Sequence, residues 1–117
     1  MTKTITVDYH LPKPPRVVWR ALTEAKLLAA WLMPNDIQPV VGHQFTFKAP
    51  PIPEWDGIVH CTILEVDAPR RLRYSWRGGA GANAIDTELA FTLEPHGATG
   101  TLLHLEQRIA KVLEPLD

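Results

Sequence analysis

Apolar and polar residues alternate with a period of two along most of this chain, and one block near the start departs from that rule. In residues 4–10, Ile5, Val7 and Tyr9 alternate with Thr6, Asp8 and His10, which predicts a strand with one apolar face. Pro12, Pro14 and Pro15 end it, because proline cannot donate to a ladder. Pro15 also suits the first turn of a helix, where its missing N–H is no loss. Val18, Trp19 and Leu22 then recur at helical spacing. Thr23 is placed to cap a second helix, with Glu24 in its first turn, and Leu27, Leu28, Trp31 and Leu32 mark that helix's buried stripe. Met33-Pro34-Asn35-Asp36 stops it.

The remainder predicts sheet. Val41-Gly42-His43 turns the chain into a strand with Phe45 and Phe47 on one face and Gln44, Thr46 and Lys48 on the other. Pro50, Pro51 and Pro53 make a stiff loop, and Asp56-Gly57 opens the next strand. Asp67-Ala68-Pro69-Arg70 turns that strand into another, in which Leu72, Tyr74 and Trp76 alternate with Arg71, Arg73, Ser75 and Arg77. Gly78-Gly79-Ala80-Gly81-Ala82 reads as a hairpin tip. Ile85, Thr87, Leu89, Phe91 and Leu93 form the apolar side of a one-sided strand, and Pro95-His96-Gly97 turns it into Thr101–Arg108, with Leu103 and Leu105 on one side. The order β-α-α followed by antiparallel strands predicts an α+β domain rather than a parallel βαβ one.

At 117 residues the chain makes a single domain, 1–117, with a real core. Its 45% apolar content excludes a disordered chain, and no apolar run approaches the ~20 residues of a membrane span. With 12 basic and 13 acidic residues there is no electrostatic footprint for nucleic acid or an anionic membrane. Arg70, Arg71, Arg73 and Arg77 cluster, and on alternate positions of a strand they read as a solvated sheet face. The single cysteine, Cys61, excludes an intramolecular disulfide framework and is expected to be buried and inert. The first residues carry no apolar leader, so the expected location is cytoplasmic.

Five blocks in order carry a family resemblance: Pro14-Pro15-Arg16-Val17-Val18-Trp19-Arg20-Ala21-Leu22-Thr23, Leu28-Ala29-Ala30-Trp31, Val41-Gly42-His43-Gln44-Phe45, Trp55-Asp56-Gly57, and Pro69-Arg70-Arg71-Leu72-Arg73-Tyr74-Ser75-Trp76. Together they resemble the Hsp90 ATPase activator homologue-like branch of the START-related (SRPBCC, Bet v 1-like) superfamily, from about Thr4 to Arg108. The resemblance implies a helix-grip fold, in which a curved antiparallel sheet wraps a long C-terminal helix and a ligand cavity lies between them. The chain departs from that pattern at its end. After Arg108 only a stub remains, in which Ile109, Val112, Leu113 and Leu116 keep helical spacing and Pro115 limits it. Such a stub cannot cover a five- or six-stranded apolar face, which would exceed the patch a monomer tolerates. Self-association into a homo-oligomer, with the sheets or stubs of two or more chains covering one another, is therefore expected, and a truncated fragment of low stability is the alternative.

Candidate chemistry is sparse. The five histidines, His10, His43, His60, His96 and His104, lack metal-site spacing, and neither a metal nor another cofactor is expected. His104 is expected to face solvent and His96 to sit in a turn. His60 shares parity with Leu64 and Val66, which the resemblance places on the concave face, so it is the one histidine expected near a cavity. A hydrogen-bonded structural role is the plainer alternative. Asp86 and Glu88 share the polar side of their strand and read as a solvated face rather than a carboxylate pair. The expected ligand wall is Phe45, Phe47, His60, Tyr74, Trp76, Thr87 and Phe91, with core packing as the alternative for the aromatics.

The first expectation is a binder of a small hydrophobic molecule rather than an enzyme. A co-chaperone-like interaction module, with a chaperone as partner, is the second. A cyclase- or hydrolase-type enzyme is the third, and it would need a polar dyad for which only His60 and Tyr74 are candidates. No catalytic set is assigned.

Overall fold

A computed structural model describes residues 3–51, 53, 56–78 and 85–111. The elements follow the expected order: β1 (Lys3–Leu11), α1 (Pro15–Thr23), α2 (Ala25–Trp31), β2 (Gln44–Lys48), β3 (Ile58–Asp67), β4 (Arg71–Gly78), β5 (Ile85–His96) and β6 (Gly100–Lys111). The strands make one antiparallel sheet in the order β1-β6-β5-β4-β3-β2. Only β1 is out of sequence. It crosses from one edge by way of the two helices, of which α1 packs on β5 and β6 and α2 packs on α1. This is a helix-grip-like α+β fold, and the last element among the described residues is a strand rather than a long helix. The C-terminal stub from Val112 onward and the glycine tip from Gly79 to Ala82 lie outside the described residues.

The alternation places the core as expected. Phe45 and Phe47, Val59 and Cys61, Leu72 and Tyr74, and Phe91 and Leu93 are buried on one face of four adjacent strands. The opposite face carries the arginines. Arg71 and Arg73 both donate from Nε to Glu65 Oε1, at 3.1 and 3.2 Å. Arg73 reaches on to Glu88 at 2.6 Å, and Arg77 pairs with Asp86 at 3.2 Å. Arg71, Glu65, Arg73 and Glu88 thus form one ion-pair chain on a solvated face, with Arg77–Asp86 and Arg70–Asp67 as separate pairs. Hydrogen bonds from both Arg71 and Arg73, together with their charge, hold the Glu65 carboxyl below its ordinary range. Pro15 stands at the start of α1, as its missing N–H suggests. Buried Thr101 donates its hydroxyl to the Lys13 carbonyl at 2.7 Å, anchoring the proline-rich connector to β6.

Three expectations fail, each for a local reason. Thr23 does not cap α2. It ends α1 and donates back to the Trp19 carbonyl at 2.8 Å, and Glu24 alone separates the two helices. The stripe of α2 is not buried either: only Leu28 is, while Leu27, Trp31 and Leu32 are exposed, because the seven-residue helix lies at the rim of the sheet. The third failure concerns His60. Ile63 pairs with Tyr74 and Val66 with Leu72, so the core face changes parity between them, across an irregularity in the β3–β4 ladder. Counting back from Val66 assigns His60 to the core face. Upstream of the bulge that face belongs to Val59, Cys61 and Ile63, and His60 is exposed on the other side.

Candidate ligand cleft

Of the seven expected wall residues, one reaches an apolar cleft, while Phe45 and His60 border a polar depression instead. The rings of Phe45 and Phe47 meet edge to face at 5.4 Å, and Phe45 meets Tyr74 in the same way at 5.2 Å. Trp76 leans on Phe47 at 5.0 Å, and Phe91 on Tyr74 at 5.8 Å. These aromatics fill one another's space. Burial pushes the Tyr74 phenol above its ordinary range, with the neighbouring Cys61 adding to the shift, so the group stays neutral and sealed. Thr87 is fully buried, and its hydroxyl is committed to the Trp76 carbonyl at 3.2 Å. Burial, with a smaller contribution from Asp36, pushes the Cys61 thiol up to about 12, which suits an inert buried cysteine.

Phe91 is the wall residue that reaches the apolar cleft, which has a volume of about 440 Å³. Tyr9 and Leu11 of β1 form one side of it, Leu103 and Leu105 of β6 and Phe91 of β5 the floor, and Val18, Ala21 and Leu22 of α1 with Trp31 of α2 the roof. Its position follows from the topology. The chain order sets β1 beside β6, and α1 packs on β5 and β6 at that end with α2 beside it, so residues of all these elements meet around the cleft. Among the described residues the lining carries no charged side chain. The Trp31 indole N–H is already donated to the Ala21 carbonyl at 3.0 Å, so this residue offers only its ring to an occupant. The Tyr9 phenol is the polar group left in the lining. Sequence reasoning assigned Tyr9, Val18, Leu22, Trp31, Leu103 and Leu105 to apolar faces but not to one site. The sparse signal was a pair of amphipathic aromatics, Tyr9 and Trp31, on the two elements that end nearest the crossover.

His60 lies on the opposite face, in a polar depression of about 320 Å³ shared with Asp36, Thr46, Ser75 and Arg77. It is therefore separated from Tyr74 by the sheet, and the two do not form the dyad that catalysis would need. His104 is half-exposed beside Asp8, and His10 packs edge-on against His96 at 4.8 Å. Among the described residues, no cluster of three or more His, Cys, Asp or Glu side chains is placed to hold a metal ion. No helix among them is long and apolar enough to cross a membrane.

Residues 12–116 match the family model described as activator of Hsp90 ATPase homolog 1-like protein. Among solved structures, the protein MLL2253 from Mesorhizobium loti is 36% identical, with a TM-score of 0.81 over 97% of this chain and 79% of its own. CalU16 from Micromonospora echinospora is 24% identical, with a TM-score of 0.74 over 94% of this chain and 62% of its own. An HSP90 activator from Plasmodium falciparum shares the fold at 15% identity, with a TM-score of 0.75 over 92% of this chain and 74% of its own. None of the curated proteins compared with the chain matches it.

Proposed function

The chain belongs to the activator of Hsp90 ATPase homolog 1-like family, and on that premise we propose that it binds a small apolar molecule in the cleft between β1, β6 and the two helices. The observation that carries this reading is the uncharged lining of a 440 Å³ cleft, a size within the range of small-molecule sites. Burying apolar surface drives such binding, at about 25 cal/mol per Å² removed from water. The Tyr9 hydroxyl supplies one orienting hydrogen bond, so an occupant with a single polar group suits the site better than a charged one. The reading also includes self-association, since Ile5, Val7 and Tyr9 stand exposed along one edge of the apolar face.

Native mass spectrometry of the purified protein, followed by the same sample denatured, tests the proposal. A releasable apolar molecule, lost from a Trp31→Ala variant, supports it. An empty protein that also fails to enhance the fluorescence of the uncharged probe N-phenyl-1-naphthylamine overturns it. Stimulation of an Hsp90 ATPase that survives Trp31→Ala would favour the interaction-module reading instead.

A further inference from the structure

The two edges of the sheet are treated differently. At one, β2 has five residues, and its outward main-chain groups are occupied by the segment before it. Thr46 N–H donates to Asp36 Oδ1 at 2.8 Å, Lys48 N–H donates to the Pro34 carbonyl at 3.0 Å, and Asn35 bridges to Phe47. At the other edge, β1 has nine residues and pairs with β6 in unbroken register from Lys3↔Ile109 to Leu11↔Thr101. Among the described residues nothing pairs with its outer side. Bulges, prolines and short length normally blunt an edge, and β1 has none of these. Its apolar side chains are exposed as well: Ile5 by 43%, Val7 by 39% and Tyr9 by 46%.

We infer that β1 pairs antiparallel with β1 of a second copy, about a two-fold axis at Val7, joining the two sheets into one. This rests on the self-association in the reading above and names its surface. The register follows from parity and length. Residues opposite one another in an antiparallel pair point to the same face, so the sum of their numbers must be even. Centring on Val7 is the even register that overlaps all of Lys3–Leu11. Ile5 then faces Tyr9 of the second copy, an aliphatic–aromatic pair of the kind that stabilises sheets. On the other face Thr6 meets Asp8 and Thr4 meets His10, so no like charges oppose. The pairing also sets Ile5 of the second copy beside Tyr9 at the mouth of the apolar cleft, so each copy contributes a wall to the other's site.

Sedimentation equilibrium together with a cysteine variant tests this. Wild type is expected at twice the 13.1 kDa of one chain. In Val7→Cys the two new thiols meet on the axis, and opposed Cα atoms in an antiparallel pair lie about 4.5–5.5 Å apart, within disulfide range. Cys61 is buried and will not compete. Val7→Cys should therefore crosslink to a dimer under mild oxidation, while Thr99→Cys, in an exposed turn, should not. Thr6→Glu, which sets a carboxylate against Asp8 of the second copy twice, should shift the mass to that of one chain with an unchanged circular dichroism spectrum. A dimer that Val7→Cys fails to crosslink overturns the edge pairing and leaves self-association standing. A wild-type monomer overturns both.

Discussion

The indole N–H of Trp31 donates to the main-chain carbonyl of Ala21 at 3.0 Å, tying the end of α2 back to α1 across the open side of the apolar cleft. Trp31 is nevertheless 54% exposed, so its ring is held in place without being consumed by the core. A rigid apolar face is inexpensive to bind against, because little rotamer freedom remains to be lost. Trp31→Ala should weaken binding of the uncharged probe N-phenyl-1-naphthylamine by about tenfold, equivalent to ~1.4 kcal/mol. Its effect on stability should stay near ~1 kcal/mol, the net worth of one hydrogen bond. Fluorescence titration and urea melts of the same variant read the two effects separately. A stability loss several times larger, with binding unchanged, would make Trp31 a core residue.

The parity of β2, β4 and β5 was legible because nothing interrupts their alternation, and the packing of Phe47, Leu72, Tyr74 and Phe91 follows from it. The bulge in β3 was not legible. Ile63, Leu64 and Val66 are all apolar, so the residues themselves do not show where the face changes, and the ladder with β4 decides it. The cleft was hidden for another reason: Tyr9, Leu22 and Trp31 lie on separate elements, and their meeting depends on a crossover that no local pattern encodes. The two kinds of position differ measurably. Phe47→Ala should cost about 3–5 kcal/mol in urea denaturation, as a fully buried ring in an aromatic cluster. His60→Ala should stay within about 0.5 kcal/mol and leave probe binding unchanged, since the residue is exposed on the far face.

Gly57 opens β3 with φ at 81°, and a Cβ added there would stand 2.1 Å from the Ala49 carbonyl oxygen. That contact is fixed by the backbone, because the Ala49 N–H donates to the Gly57 carbonyl at 2.7 Å to close the loop between β2 and β3. Gly57→Ala therefore combines left-handed strain of about 1–3 kcal/mol with a displaced loop. Gly42 is a natural control, with φ at 89° and open space where its Cβ would lie. The urea midpoint should fall further for Gly57→Ala than for Gly42→Ala. Equal losses would show that backbone conformation alone governs both sites.

Glu65 gives the pH dependence of the outer face a definite sign. Its carboxyl is held below the ordinary value of 4.5, first by the hydrogen bond from Arg71, against the opposing effect of desolvation, and then by the charge of Arg71 and the hydrogen bond and charge of Arg73. A carboxyl whose folded pKa is depressed contributes stability in full above its unfolded pKa and loses it as pH falls through the folded value. Stability should therefore decline on acidification below 4.5. Other carboxylates titrate in the same range, so the informative quantity is a difference. Urea midpoints of wild type and Glu65→Gln should converge as the pH is lowered, with wild type the more stable at neutrality. The three-way pairing is partly solvated, so added salt should narrow the neutral-pH gap as well. A gap that stays constant across the acid range would mean that Glu65 acts through packing of its methylenes over β4, and not through its charge.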